Sequence, residues 1–160
     1  MYRLKIVVML MLICLFPLGC SFVQAPPQMQ FGDSPHRYTR SDFNIAWRTA
    51  SSEQGVTIDA TLRNMRYSLV KDLTMEVSLK RGDQVVARKK GFVYIDLKEK
   101  AYGNVAVLLK GVSVSPGDQL QFRLTYEGTE GTVARPHQLD FCVDAETGVV
   151  DEDKSSPVIN

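Results

Sequence analysis

From Asp42 onward, hydrophobic and polar positions alternate. Phe43, Ile45 and Trp47 share one face, with Asn44, Ala46 and Arg48 on the other, the pattern of a half-buried strand. Ser51 to Gly55 reads as a hairpin loop. Val56, Ile58, Ala60 and Leu62 then alternate with Thr57, Asp59, Thr61 and Arg63. The segment Arg63 to Tyr67 breaks the pattern, and Leu73, Met75, Val77 and Leu79 resume it. Gly82-Asp83 suits a tight hairpin, because glycine reaches positive φ without a Cβ clash. A strand from about Gln84 to Arg88 follows. Arg88-Lys89-Lys90 and Gly91 are expected to interrupt it, with Phe92 to Leu97 continuing as a short apolar strand bent at the glycine. Val105, Val107 and Leu109 form another strand. Pro116-Gly117 supplies the centre of a type II turn ahead of Leu120, Phe122, Leu124 and Tyr126. The last strand holds Leu139, Phe141 and Val143. Short strands at near-regular spacing, with no helical period, predict an all-β fold: an antiparallel immunoglobulin-like β-sandwich of about 7–8 strands over residues 42–144.

The flanks lack this alternation. Residues 20–41 contain Pro26-Pro27, Gly32 and Ser34-Pro35 and read as a tether, reaching up to about 60 Å if extended. Folding of Phe31 and Tyr38 back onto the domain is the alternative for that end. Residues 145–160 read as an acidic tail, carrying Glu146, Asp151, Glu152 and Asp153.

The first nineteen residues have a different character. Arg3 and Lys5 precede thirteen apolar or small positions, Ile6 to Leu18, which match a secretory signal peptide and are too few for a membrane span of about twenty. Gly19-Cys20, closing that run, resembles a bacterial lipobox, although Pro17 and Leu18 depart from its first two positions. The resemblance implies cleavage between Gly19 and Cys20, with diacylglycerol and an N-acyl chain on Cys20 as the only non-protein group. It also implies attachment to a membrane through that anchor. Ser21 after the cysteine implies passage to the outer membrane, facing the periplasm, if the host has two membranes. Two other outcomes stand beside it: cleavage after Val23-Gln24-Ala25, releasing a soluble chain, and an uncleaved anchor.

About 140 residues follow Cys20, enough for one well-buried core. The whole chain carries +1, and −1 once Arg3 and Lys5 are removed, so charge makes no case for nucleic acid as a partner. Cys14 would leave with the signal and Cys20 would be acylated. Cys142 would then be the single remaining thiol and could form no intramolecular disulfide, and its place among Leu139, Phe141 and Val143 reads as structural. Charge is uneven: Ala60 to Lys100 carries +5, whereas Gly111 to Asn160 carries −6.

From Gly55 to Gly128 the chain loosely resembles immunoglobulin-like modules of bacterial envelope proteins, including the FxLYD type. The matching features are the strand Val56 to Leu62 ending at Asn64, Val77-Ser78-Leu79 before Gly82, and Pro116-Gly117 ahead of Leu120-Gln121-Phe122. The motif itself falls on Val77 to Arg81 and keeps only Leu79. The resemblance implies a binding or spacer module without catalytic residues.

Motifs with chemistry are few. His36 and His137 stand far apart, no metal-ligand spacing occurs, and His137 and Cys142, five apart, fall on opposite faces of a strand. Ser113 and Ser115 lack a neighbouring histidine. Asp59 and Asp140 lie opposite core-facing positions and read as solvated, and the acidic end lacks the ligand spacing of a calcium loop. Arg88, Lys89 and Lys90 are the candidate contact for lipid headgroups, anionic glycans or an acidic partner. A solubilised edge strand explains the same cluster. Arg81-Gly82-Asp83 spells an adhesion tripeptide, but the turn accounts for its last two residues. The expected function is a lipid-anchored, noncatalytic envelope module that binds an envelope protein or assists an assembly. The alternative is a carrier or sensor of a small hydrophobic ligand or glycan, in a cavity lined by Phe92, Tyr94, Phe122 and Tyr126.

Overall fold

A computed structural model describes residues 31–151. Ten strands build two antiparallel sheets: β1 (His36–Thr39), β2 (Phe43–Ser52), β3 (Gly55–Asn64), β4 (Leu69–Arg81), β5 (Gln84–Phe92), β6 (Leu97–Lys98), β7 (Tyr102–Lys110), β8 (Asp118–Glu130), β9 (Val133–Asp144) and β10 (Val150–Asp151). The first sheet runs β1-β2-β3-β7 and the second β10-β9-β8-β4-β5, with β6 paired to the start of β4. Setting aside the short β1, β6 and β10, the order is β2-β3-β7 against β9-β8-β4-β5. This corresponds to immunoglobulin strands A-B-E facing G-F-C-C′.

Alternation decides which side chains meet between the sheets. Ile45, Trp47, Ile58 and Leu62 from the first sheet pack against Met75, Val77, Phe122, Leu124 and Phe141 from the second, all buried. At the centre, Trp47 lies 5.2 Å from Phe122 and 5.9 Å from Phe141, and the two phenylalanine rings stack at 4.7 Å and 3°. Such offset aromatic contacts add to what burial itself contributes.

The turns follow the expected chemistry. Gly82 takes φ 58° between β4 and β5. Pro116 and Gly117, the latter at φ 83°, occupy the middle of a turn closed by the Asp118 amide donating to the Ser115 carbonyl at 3.0 Å, a type II turn.

Four features differ from the sequence expectation. β5 is one strand from Gln84 to Phe92, running through Arg88-Lys89-Lys90 and Gly91 without a break. After Phe92, the last residue of β5, the chain is a loop until Leu97–Lys98 pairs as β6. The physical reason lies in position: β5 borders only β4, so its basic side chains reach solvent while its backbone still pairs. The bulge falls elsewhere. Leu79 opposes Ala87 and Lys80 opposes Val85, leaving Val86 as the extra residue. The sandwich is also wider than 42–144. β1 zips onto β2, burying Tyr38 against Phe141 at 4.2 Å, and β10 adds to β9.

Candidate functional site

One end of the sandwich gathers the β1–β2, β3–β4, β5–β7 and β8–β9 connections. The other gathers the remaining turns and His36, where β1 begins. Gly19 and Cys20, and with them the lipidation and cleavage sites, lie outside the described residues, as do Glu152 and Asp153.

Arg88, Lys89 and Lys90 sit together on edge strand β5 but face different ways. Arg88 and Lys90 oppose Ser78 and Glu76 on the outer face, and Arg88 reaches Glu76 at 3.6 Å and donates to the Ser78 hydroxyl at 3.2 Å. Lys89 opposes buried Val77, so it holds the inward phase at the rim of the sandwich. An inward-phase charge and a bulge on an edge strand both oppose strand addition by another chain. The position of the cluster on an edge strand thus fits the edge-protecting reading and leaves Lys89 and Lys90 exposed.

The loop after β5 is more distinctive. Phe92, Tyr94 and Ile95 are 50%, 92% and 59% exposed, whereas Val93 and Leu97 between and after them are buried. The Val93 amide donates to the Leu73 carbonyl at 2.9 Å. Gly103 makes room below: a Cβ there would stand 2.6 Å from Val93 and 3.0 Å from Leu97. Two buried pins thus hold three large apolar side chains out in water, with the Phe92 and Tyr94 rings 6.3 Å apart. Arg88-Lys89-Lys90 precede the loop, and Lys98 and Lys100 follow it. Phe122 and Tyr126 instead fill the core, so the four aromatics named as a carrier's lining do not face one cavity.

Beside this loop, Asn64 ties the connections together. Its side-chain amide donates to the Tyr67 and Leu97 carbonyls at 2.7 and 3.0 Å, and its side-chain oxygen accepts from the Arg66 and Tyr67 amides. Asp42, 1% exposed, is the centre of a second network. Tyr126 donates to it at 2.7 Å, Tyr67 at 3.3 Å, and Arg66 at 3.2 Å while also pairing with Glu130. Burial pushes the Asp42 carboxyl up, but the donors Tyr126, Arg66 and Ser41 together hold it below the usual aspartate value. Burial first, and then the nearby Asp42 carboxylate, raise the Tyr126 hydroxyl, which stays protonated and donating.

The remaining candidates are structural. Asp59 pairs with Arg48 at 3.1 Å and Asp140 with Arg123 at 2.8 Å, each directly across strands on an outer face. Arg81 of the adhesion-like tripeptide is committed to buried Asp118 through two bonds of 2.9 and 2.8 Å. Asp144 accepts from the Glu146 and Thr147 amides and so closes its own turn. Cys142 is buried where β10 joins β9. His36 rests on Trp47 at the far end from His137, which packs on Tyr67 and Tyr126. Among the described residues no group of three or more His, Cys, Asp or Glu is placed to hold a metal ion.

No protein-family model matches the chain, and no curated protein matches it. Among solved structures it is similar to the crystal structure of the yeast GGA1 GAE domain-P21, with 12% identity over 67% of this chain and 98% of that one, at a TM-score of 0.38. A similarity of this size carries no functional argument. The immunoglobulin-like arrangement rests on the strand order itself.

Proposed function

We propose that this chain is a lipid-anchored protein of the cell envelope, held through acylated Cys20, whose sandwich is a noncatalytic module that binds another envelope protein. The observation that carries the reading is the pinned loop of Phe92, Tyr94 and Ile95. Large apolar side chains held rigidly in water are the side of an interface that loses little conformational entropy on binding. Exposed aromatic side chains such as Phe92 and Tyr94 are of the type that supplies the anchors of protein interfaces. The loop lies at the end opposite His36, so a chain tethered through its N-terminal segment would present the loop away from the attachment point. The acylated cysteine is supported by Gly19-Cys20 after the apolar run.

In-cell crosslinking and detergent purification of the tagged full-length chain test both halves. The expected result is one stoichiometric envelope protein, reduced at least tenfold by Tyr94→Ser with Ile95→Ser and lost from the membrane fraction with Cys20→Ala. A mature N-terminal peptide that starts elsewhere and bears no lipid would overturn the anchor. Crosslinking unchanged by the loop substitutions would overturn the contact surface.

A further inference from the structure

The two sheets are not equally long at the loop-bearing end. Phe43 is the first residue of β2, and its ring meets Tyr126 edge-on at 4.9 Å and 82°. Beyond that contact β8 and β9 run on past the end of β2, with the first residues of β4, Leu69 and Val70, still paired to Thr129 and Gly128, and with the Tyr67 ring lying against Gly128. The inward positions of β8 run Leu120, Phe122, Leu124, Tyr126, Gly128, Glu130, and those of β9 run Val143, Phe141, Leu139, His137, Arg135, Val133. In that phase His137, Arg135 and Glu130 bring polar groups in where β2 stops, beside Gly128 and Val133.

A cleft of about 450 Å³ opens under this overhang, a size that suits a small ligand. Arg66, Glu130, Arg135 and His137 supply its polar groups, and Val133 and Pro136 add apolar wall. Arg66 is already balanced, held between Asp42 and Glu130 at 3.2 and 2.5 Å. That pairing fixes its position and absorbs the Glu130 charge. Arg135 has no ion pair or hydrogen bond among the described residues. The His137 ring is held by stacking on Tyr126 at 5.3 Å and 21° and by Tyr67 at 5.0 Å, yet neither of its nitrogens has a hydrogen bond among the described residues. Two nitrogen-bearing side chains, one a permanent cation, thus line one cleft without partners of their own.

We infer that this cleft binds an oxyanion, a carboxylate or phosphate group of a small ligand. Arg135 would be its bidentate donor and His137 its second. A planar guanidinium matches the two oxygens of either group. Arg66 and the Asp42 network act behind it as the support that keeps the wall in place. This inference does not depend on a protein partner or on lipidation.

The two histidines sit at opposite ends of the sandwich and give the test an internal control. Imidazole proton resonances of the full chain, in nonionic detergent at pH 7 and constant ionic strength, are followed during titration with citrate and, separately, inorganic phosphate. The expected result is a saturable shift of the His137 resonance by at least one of the two, with His36 unmoved. Arg135→Ala, at an exposed position, should keep the thermal midpoint and weaken the response at least tenfold. Citrate alone acting would assign a carboxylate ligand, and phosphate alone a phosphate. No His137 shift, an equal shift of both histidines, or an unchanged response in Arg135→Ala would overturn the inference.

Discussion

The hydroxyl of Tyr126 donates to the carboxylate of Asp42 across 2.7 Å, joining the middle of the second sheet to the residue just before β2. This bond lies in the interior, and the same carboxylate also holds Tyr67 and Arg66. Asp42→Ala would leave two buried hydroxyls without this acceptor and the Arg66 guanidinium with Glu130 alone. The expected loss is about 3 kcal/mol, read as a drop of roughly 10 °C in thermal midpoint by circular dichroism. A change under 2 °C would show that the network contributes little.

The same group sets an acid limit on stability. The Asp42 carboxyl is lowered in the fold, and Asp118 and Asp144 are lowered too, the first by Arg81 and the second by the Thr147 amide. Each contributes stability that is complete above the unfolded aspartate value of about 3.9 and is lost as pH falls through the folded value. Denaturant midpoints measured from pH 6 to pH 2 should therefore fall below about pH 4. Asp42→Asn should show a shallower fall, and parallel curves would remove Asp42 from the account.

Much of this architecture is legible in the sequence because a strand with one face buried has a period of two, and Leu120, Phe122, Leu124 and Tyr126 keep that period without error. Asp42 is not legible. An aspartate ahead of a strand reads as a turn residue, and its partners Tyr67 and Tyr126 come from two later strands or loops. The cleft left a faint trace: counting back by twos from Leu139 places His137 and Arg135 on the inward side, but only the fold reveals that Tyr67 from the β3–β4 connection, and no strand of the opposing sheet, packs on His137, and that Arg135 is left lining a cleft. β5 misleads for the opposite reason. Its lysines break the alternation because an edge strand has little to bury.

That edge supplies a further prediction. Replacing Lys89 and Lys90 with Val and Thr removes the inward-phase charge and its neighbour while raising strand propensity. The thermal midpoint should change by less than about 0.5 kcal/mol in equivalent stability, but light scattering should rise with protein concentration. A variant as monodisperse as the parent would mean that the bulge at Val86 protects the edge unaided.

Gly128 matters for what lies against it. A Cβ there would stand 2.8 Å from the Tyr67 ring, so Gly128→Ala must displace a fully buried tyrosine. The expected cost is about 2 kcal/mol, with a changed near-ultraviolet tyrosine signal. An unperturbed spectrum would place the Tyr67 ring elsewhere.

Cys142, 3% exposed, should resist a thiol reagent in the folded protein and react on addition of denaturant. Peptide mapping of the modified site makes the measurement specific. Fast labelling without denaturant would show that β10 opens readily from β9.

Strand β1 has a mechanical consequence. Only four residues pair it to β2, and its contacts with the core are Tyr38 on Phe141 and His36 on Trp47. Tension arriving from residues before His36 meets that short zipper before it reaches the pairing of β2 with β3. Release of β1 would pay out about 13 Å of chain at 3.3 Å per residue and leave the β2–β3 pairing intact. The first strand is thus a built-in extensible link, able to absorb a pull while the rest of the sandwich keeps its shape.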